Sequence, residues 1–376
     1  MVSLVAVGDV EFSGMYLGRY ENKKELPPLL EPEMRRHAEA AGSKLILDWL
    51  GEADVAFANL ETTLAENKPY YHPRPTTYRF RADPTNAEGL KNLGIDVVSL
   101  ANNHVFDYGD SAFIETLKAL DDAGVRHVGA GVDLEEALTP AILDVDGQRL
   151  AFIGFATVFP VTGVASPERA GVAAIRNKII YEFESARLPT DLRPGYAALP
   201  KIYESPMEQD VQRMKDRIRR AKEESDLLIV SVHWGREYED TPSEGQRKLG
   251  HEMIDAGADM VIGHHPHTAQ SIEIYKGKYI FYSLGNFTMQ VEWDIARCET
   301  YLNEAFMVKA DLEGGEVSGV EILPTRTDRT GFPMISEDFP NVIKHLNDTS
   351  SPLNAKIGQR GRTAYVKPKR CDEPIK

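Results

Sequence analysis

Carboxylates, carboxamides and imidazoles gather in five short clusters, each at the end of a hydrophobic, strand-like run. They are Val7-Gly8-Asp9-Val10-Glu11, Ala58-Asn59-Leu60-Glu61, Ala101-Asn102-Asn103-His104, Val232-His233-Trp234-Gly235 and Gly263-His264-His265-Pro266-His267. Mixed nitrogen and oxygen donors of this kind suit hard and borderline divalent cations. Asp9 and Glu61 offer anionic oxygens, Asn103 a neutral carbonyl oxygen, and His233, His265 and His267 imidazole nitrogens. One or two ions of the Mn, Zn, Fe or Mg class fit such a set. A pair of ions about 3.5–4 Å apart would hold a hydroxide between them and clamp a substrate oxygen, which is the chemistry of hydrolysis.

Taken singly, most of these residues have a plainer use. Asp9 can close a strand-to-loop turn on local amides, Glu61 can be a solvated loop acid, and Asn102-Asn103 a turn pair. His104 can be a hydrogen-bonded loop histidine, and His233 a core histidine beside the packing aromatic Trp234. The last cluster resists that account. Three histidines within four residues follow the apolar run Met260–Ile262 and a glycine, and buried imidazoles need polar partners. In an extended segment His265 and His267 project to the same side. His264 then points elsewhere and is the weaker candidate.

Strands must bring these clusters together. Apolar runs of four to eight residues alternate with amphipathic segments, the pattern of an α/β fold. Strands are predicted at Leu4–Val10, Val55–Leu60, Ile95–Leu100 and Val125–Gly129, with helices over Ser43–Ala53, Pro84–Leu93 and Asp110–Ala123. Ala141–Asp144 pairs with Leu150–Ala156 across Asp146-Gly147, so the first 157 residues read as one compact α/β half. The stripe Val211, Met214, Ile218 and Ala221 marks a helix over Ser205–Glu224, leading into the apolar run Leu227–Val232. Gln270–Tyr282, Ala305–Asp311 and Glu316–Leu323 alternate as antiparallel strands do and are expected to build a second sheet. Tyr16–Pro32 and Arg176–Pro206 read as irregular loops, and the tail from Thr325 lacks periodicity. In open α/β sheets ligands bind where strands end, so five clusters scattered along the chain can converge there.

Composition narrows the function. A formal charge of -15 over 376 residues argues against sequence-independent nucleic-acid binding, which needs a basic surface. Cys298 and Cys371 are too few for a disulfide framework or a thiolate zinc site. No run of about 18 apolar residues suggests a membrane span. Met1-Val2-Ser3-Leu4-Val5 leads directly into a strand with no basic leader, so a cytoplasmic protein is expected.

In their order the motifs resemble the CapA (poly-γ-glutamate capsule synthesis) family, itself related to calcineurin-like metallophosphoesterases. The resemblance rests on Gly8-Asp9-Val10-Glu11-Phe12-Ser13-Gly14, Asn59-Leu60-Glu61, Ala101-Asn102-Asn103-His104-Val105-Phe106-Asp107-Tyr108-Gly109, His233-Trp234-Gly235-Arg236-Glu237-Tyr238, Gly263-His264-His265-Pro266-His267 and Ser283-Leu284-Gly285-Asn286-Phe287. It implies a four-layer α/β/β/α sandwich of the metallophosphoesterase type over residues 1–325, with residues 326–376 as an extension packed on it. It also implies metal ligation by Asp9, Glu61, Asn103, His233, His265 and His267. His104 is implied as proton donor to the leaving group, with Asp107 its orienting partner. The family relation further implies a metal-dependent hydrolase of a phosphoester or of an amide or peptide-like bond, acting on a small acidic or phosphorylated substrate or on polyglutamate. The other implication is a non-catalytic accessory or binding role in polyglutamate or capsule assembly.

Two departures stand out against metallophosphoesterases: Asp9-Val10-Glu11 replaces their Asp-x-His, and Glu61 replaces an aspartate. Glu11 and His264 are accordingly further candidates for the metal or its surroundings. Arg79, Arg81, Arg236, Glu237 and Asn286 are candidate substrate contacts, since arginine pairs bidentately with phosphate or carboxylate.

Overall fold

The apolar run that opens the chain forms the strand Val2–Val10, and its alternate residues serve two different cores. Leu4 and Ala6 belong to one apolar cluster, Val5 and Val7 to another, because successive side chains of a strand point to opposite faces. The computed structural model describes residues 1–12, 35–36, 39, 43–66, 79–160, 162–182, 201–289, 304–328 and 331–369. The expected irregular segment Tyr16–Pro32 lies outside them.

Val2–Val10 sits inside a ten-stranded sheet. On one side it runs parallel to Val55–Leu60, followed by Val97–Ser99 and Arg126–Val128. On the other side it pairs antiparallel with Glu304–Glu313, beyond which come Glu316–Thr327, Thr363–Pro368 and Ala355–Arg360. The short strand Asn286–Thr288 also pairs with it, in parallel. The second large sheet has six strands in the order Ile272–Tyr275, Lys278–Phe281, Met260–His264, Leu227–His233, Gln148–Ala156, Ala141–Val145. Its four central strands are parallel.

Residues from both sheets share one apolar cluster, with Leu4, Phe57 and Phe306 meeting Phe152, Ile262 and Phe281. Phe57 and Phe152 stack at 5.6 Å with their planes 7° apart. A second cluster joins the first sheet to helices Lys44–Glu52, Asn86–Asn92 and Gly109–Ala123 through Ile46, Leu50, Leu90, Phe113 and Leu117. A third joins the other sheet to helices Glu208–Glu223 and Glu244–Ala256 through Met214, Ile218, Leu249 and Met253.

The structure corrects three expectations. The strands of the final third do not build a sheet of their own: the hairpin Ile272–Phe281 extends the second sheet, whereas Glu304–Glu313 and Glu316–Thr327 extend the first. The first 157 residues are likewise divided, because Ala141–Val145 and Gln148–Ala156 belong to the second sheet. Arg176–Pro206 is not wholly irregular, since Asn177–Glu182 and Lys201–Pro206 pair as an antiparallel ribbon. Beyond the strand that crosses residue 325, a helix Phe339–Ser350 and a hairpin, Ala355–Arg360 with Thr363–Pro368, complete the edge of the first sheet.

Candidate metal centre

Parallel strands end on a common edge, and that edge gathers the clusters. In the first sheet Asp9 stands in register with Asn59 on one neighbour and Asn286 on the other. In the second, His233 is paired with His264. Gly8 permits the closest approach: a Cβ there would lie 1.8 Å from the carbonyl oxygen of Gly285, so only glycine lets the Ser283–Asn286 turn press against the strand. Asp9 N donates to that oxygen at 3.0 Å. Gly263 does the same for Trp234, whose Nε1 donates to Tyr282 O at 2.8 Å and would lie 2.5 Å from a Cβ at 263. Trp234 is thereby a packing residue, stacked on Tyr282 at 5.7 Å.

Three groups of donor atoms result, each with its ligand atoms within 4.8 Å of one another: Asp9, Glu61 and His267; Glu61, His233 and His265; Glu237, His265 and His267. Glu61 belongs to two of them. Asn103 Oδ1 lies 2.7 Å from His233 Nε2, and that nitrogen lies 3.6 Å from Glu61 Oε1. Donors sharing one ion at about 2.1 Å stand roughly 3 Å apart, so these spacings fit a common cation. Both oxygens of Glu61 are fully buried without a hydrogen-bond partner, as is Nδ1 of His265. A cation would satisfy such atoms, since an unpaired buried carboxylate is strongly disfavoured.

The surrounding charges agree. Burial, then the carboxylates of Asp9, Glu237 and Glu11, push the Glu61 carboxyl well above its usual range. Burial opposes the charge on Asp9 too, yet His264, His267 and the bond from Asn59 hold it low. Burial and the neighbouring imidazoles depress His233 strongly. Burial, reinforced by His267, brings His265 down to about 3. These two imidazoles are therefore neutral, the form that ligates metal.

Other side chains fix the orientation of these donors. Asn59 Nδ2 donates to Asp9 Oδ1 at 2.8 Å, and His265 N donates to Asp9 Oδ2 at 3.3 Å. Asn286 Oδ1 accepts from His267 Nδ1 at 2.9 Å. Asn102 Oδ1 accepts from His104 N and Val105 N, and its Nδ2 donates to Leu60 O. Asp107 Oδ2 lies 2.8 Å from His104 Nδ1 and also accepts from Phe80 N at 2.9 Å. His104 is the more open of these rings, 12% exposed at the side chain, and its Nε2 lies 4.0 Å from Glu61 Oε1.

The remaining candidates divide. Glu237 is exposed but reaches the histidines. Glu11 is buried, its backbone N donating to Thr288 O and Oγ1. His264, expected to point away, has its Nδ1 3.2 Å from Asp9 Oδ1. The reason is backbone shape: His265 and His267 adopt φ of 95° and 57°, so the segment is not the extended strand that alternation assumes. Non-glycine residues in that region mark a conformation imposed by their surroundings. Arg81 is engaged elsewhere, donating to Ala65 O at 3.1 Å and lying over the Tyr108 ring. Arg79 flanks Phe80, whose ring packs 4.2 Å from that of His104. Arg236 is 68% exposed, its Nη1 3.8 Å from Glu239 Oε1. Asn59, named in the second cluster, was given no role from the sequence, although it stands two residues before Glu61 at the end of a strand, where alternate residues share a face.

Residues 3–291 match the family described as bacterial capsule synthesis protein PGA_cap. The chain belongs to that family. Its matched span begins with the strand that presents Asp9 and ends just after Asn286, so it encloses the whole set of donors. Among curated capsule-family relatives, the probable polyglutamine synthesis accessory protein of Mycobacterium tuberculosis is 31% identical over 317 residues, 82% of this chain and 74% of that protein. The capsule biosynthesis protein CapA of Bacillus anthracis is 29% identical over 277 residues, 73% of this chain and 59% of its own length. The PGA biosynthesis protein CapA of Bacillus subtilis is 30% identical over 273 residues, 72% of this chain and 61% of that protein. The chain thus spans less than two thirds of either CapA. A solved structure, TT1561 of Thermus thermophilus, aligns over 86% of this chain and 98% of its own at 10% identity and a TM-score of 0.39, too loosely to bear on the fold in detail. No described helix is long and apolar enough to cross a membrane.

Proposed function

We propose that this capsule-family chain is a metal-dependent hydrolase acting on a phosphoester or on an amide or peptide-like bond of an acidic substrate. The observation that carries the reading is Glu61: a fully buried carboxylate, both oxygens without a hydrogen-bond partner, shared by two groups of histidine and carboxylate donors. In this reading Asp9, Glu61, Asn103, His233, His265 and His267 would hold one or two divalent ions, Glu61 being common to two of the three donor groups. His264 stands beside Asp9, and Glu11 adds to the negative charge around Glu61. The fold is a four-layer α/β/β/α sandwich, supported by one apolar cluster common to both sheets and one between each sheet and its helices.

When bound, such an ion acidifies water and polarises the substrate oxygen. The protein's own groups supply the rest. Asp107, an acceptor only, fixes the proton of His104 on Nδ1, so that Nε2 faces the reacting region. His104 in its protonated form donates from Nε2 to the departing atom. Phe80 covers the other side of the ring and limits water there. Glu237, at the exposed rim beside His265 and His267, is a substrate contact of this reading.

Protein purified without chelator should contain a divalent metal by elemental analysis. With Mn or Zn restored it should hydrolyse an aryl phosphate or a γ-glutamyl amide. Asp9→Ala and His267→Ala should each lower the metal content. Full metal content in both variants would remove the site. A second reading is favoured by the relatives' names: an accessory protein of polyglutamate or capsule synthesis that uses the centre to hold an anionic chain. Metal bound at full stoichiometry, with polyglutamate binding but no turnover of either substrate, would select it.

A further inference from the structure

Asn177–Glu182 and Lys201–Pro206 form a ribbon outside both large sheets. Its base is clamped. Arg176 donates from N, Nε and Nη2 to the buried carboxylate of Asp210, and Met207 N donates to Arg176 O. Past that base every residue from Asn177 to Glu182 is exposed. Ile179, Ile180 and Tyr181 stand in succession at 59%, 48% and 56% exposure. The other exposed large hydrophobics among the described residues, Met1, Ile114, Val132 and Ile142, are scattered singly, which is ordinary for a protein surface.

Among the described residues no third strand pairs with either edge of this ribbon, and a two-stranded ribbon is marginal by itself. Edge strands are usually blunted by central charges. Here the charges sit at the ends, Lys178 and Glu182, with three apolar residues between them. That order is self-complementary. When the strand runs antiparallel to a copy of itself about an axis at residue 180, Lys178 meets Glu182 of the copy at both ends, and Ile180 meets Ile180, all on one face. Ile179 meets Tyr181 twice on the other face. A slip by two residues sets a charge against Ile180, and a slip by one sets Lys178 against Tyr181, so a single register satisfies every pair.

We propose that Asn177–Glu182 is the docking strand of a homodimer, pairing antiparallel with the same strand of a second copy about a twofold axis at Ile180. The interface is isologous and joins the two ribbons into a four-stranded sheet. It lies outside the metal centre and does not depend on how that centre is used.

Sedimentation velocity of the full chain over a concentration series tests this. The wild type is expected to be a dimer and Ile180→Asp a monomer. Lys178→Glu alone, or Glu182→Lys alone, sets like charges opposite each other at both ends and should weaken association about tenfold. The double reversal Lys178→Glu with Glu182→Lys should restore it. Since all these side chains are exposed, far-UV circular dichroism and metal content should match the wild type, and thermal unfolding should match it at concentrations where both are monomeric. A wild type that stays monomeric throughout the series, including one whose strand instead engages a different protein, overturns the proposal. So does a dimer that survives Ile180→Asp, or a double reversal that fails to restore association.

Discussion

Asn286 Oδ1 lies 2.9 Å from Nδ1 of His267, and Asn286 itself stands in register with Asp9 on the adjoining strand. The carboxamide oxygen only accepts, so the imidazole proton is fixed on Nδ1 and the lone pair on Nε2. One residue thus ties the tautomer of a histidine to the strand that presents a carboxylate. Replacing it with Ala should leave the ring free to turn and lower metal affinity about 10–100-fold. Titration of metal into chelator-stripped protein measures this, and unchanged affinity would show that the bond does no orienting.

His104 and Asp107 are expected to affect turnover and not metal. In the proposed reaction His104→Asn removes the proton donor and should slow hydrolysis about 10²–10⁴-fold. Asp107→Asn should also slow it, because a carboxamide can present its N–H to Nδ1 and reverse the tautomer. Elemental analysis of both variants should match the wild type. A fall in metal content alongside the rate would instead make His104 a ligand.

Glu61 should carry opposite signs with and without metal. Its folded pKa is raised well above the ordinary 4.5 by burial and nearby carboxylates. The metal-free chain therefore loses stability as pH rises past 4.5, up to the folded value, because the unfolded chain releases the proton first. Glu61→Gln should raise the Tm of metal-free protein at neutral pH and abolish the Tm increase caused by added metal. A metal-free Tm below that of the wild type would contradict this.

The clamp at the base of the ribbon should titrate in acid. Burial opposes the charge on Asp210, but bonds from Arg176 hold its carboxyl below 3.8. The contribution is present above that value and lost as pH falls through the lower folded one. Arg176 is 41% exposed, so screening limits the contribution to about 1 kcal/mol. Denaturant unfolding of wild type and Asp210→Asn should differ by that amount at neutral pH and converge in acid.

Packing between the sheets should be the most sensitive part of the fold. Phe57 and Phe152 are both buried and stacked across the shared core. Phe57→Ala removes a ring from that close-packed layer, at a cost of about 3–5 kcal/mol. Urea unfolding monitored by circular dichroism gives the value directly, and a loss under about 1 kcal/mol would mean the site collapses freely.

Individual elements were legible because each carries its own signal. Val55–Leu60 is a nearly unbroken apolar run, and its bounds coincide with the strand. Asp146-Gly147 marks the turn of its hairpin, and both residues take positive φ. The donor clusters were legible too, since strand ends followed by Asp, Glu, Asn and His are local patterns. Their family order needed no coordinates.

Partner choice was not legible. Alternation in Glu304–Glu313 and Ile272–Tyr275 reports which faces are buried, and says nothing about which strand lies alongside. The first pairs with Val2–Val10 and the second with Lys278–Phe281, in different sheets. Nor did the sequence place His264, because the alternation rule presumes extended backbone and fails where His265 turns to positive φ. The amino-acid sequence by itself determined the strands, the turns and the supply of carboxylate, carboxamide and imidazole groups, all set by interactions between near neighbours in the chain. Only the tertiary structure decided how two sheets divide those strands and which nitrogen faces which oxygen, because those outcomes depend on contacts between segments far apart in the chain, such as His264 and Asp9.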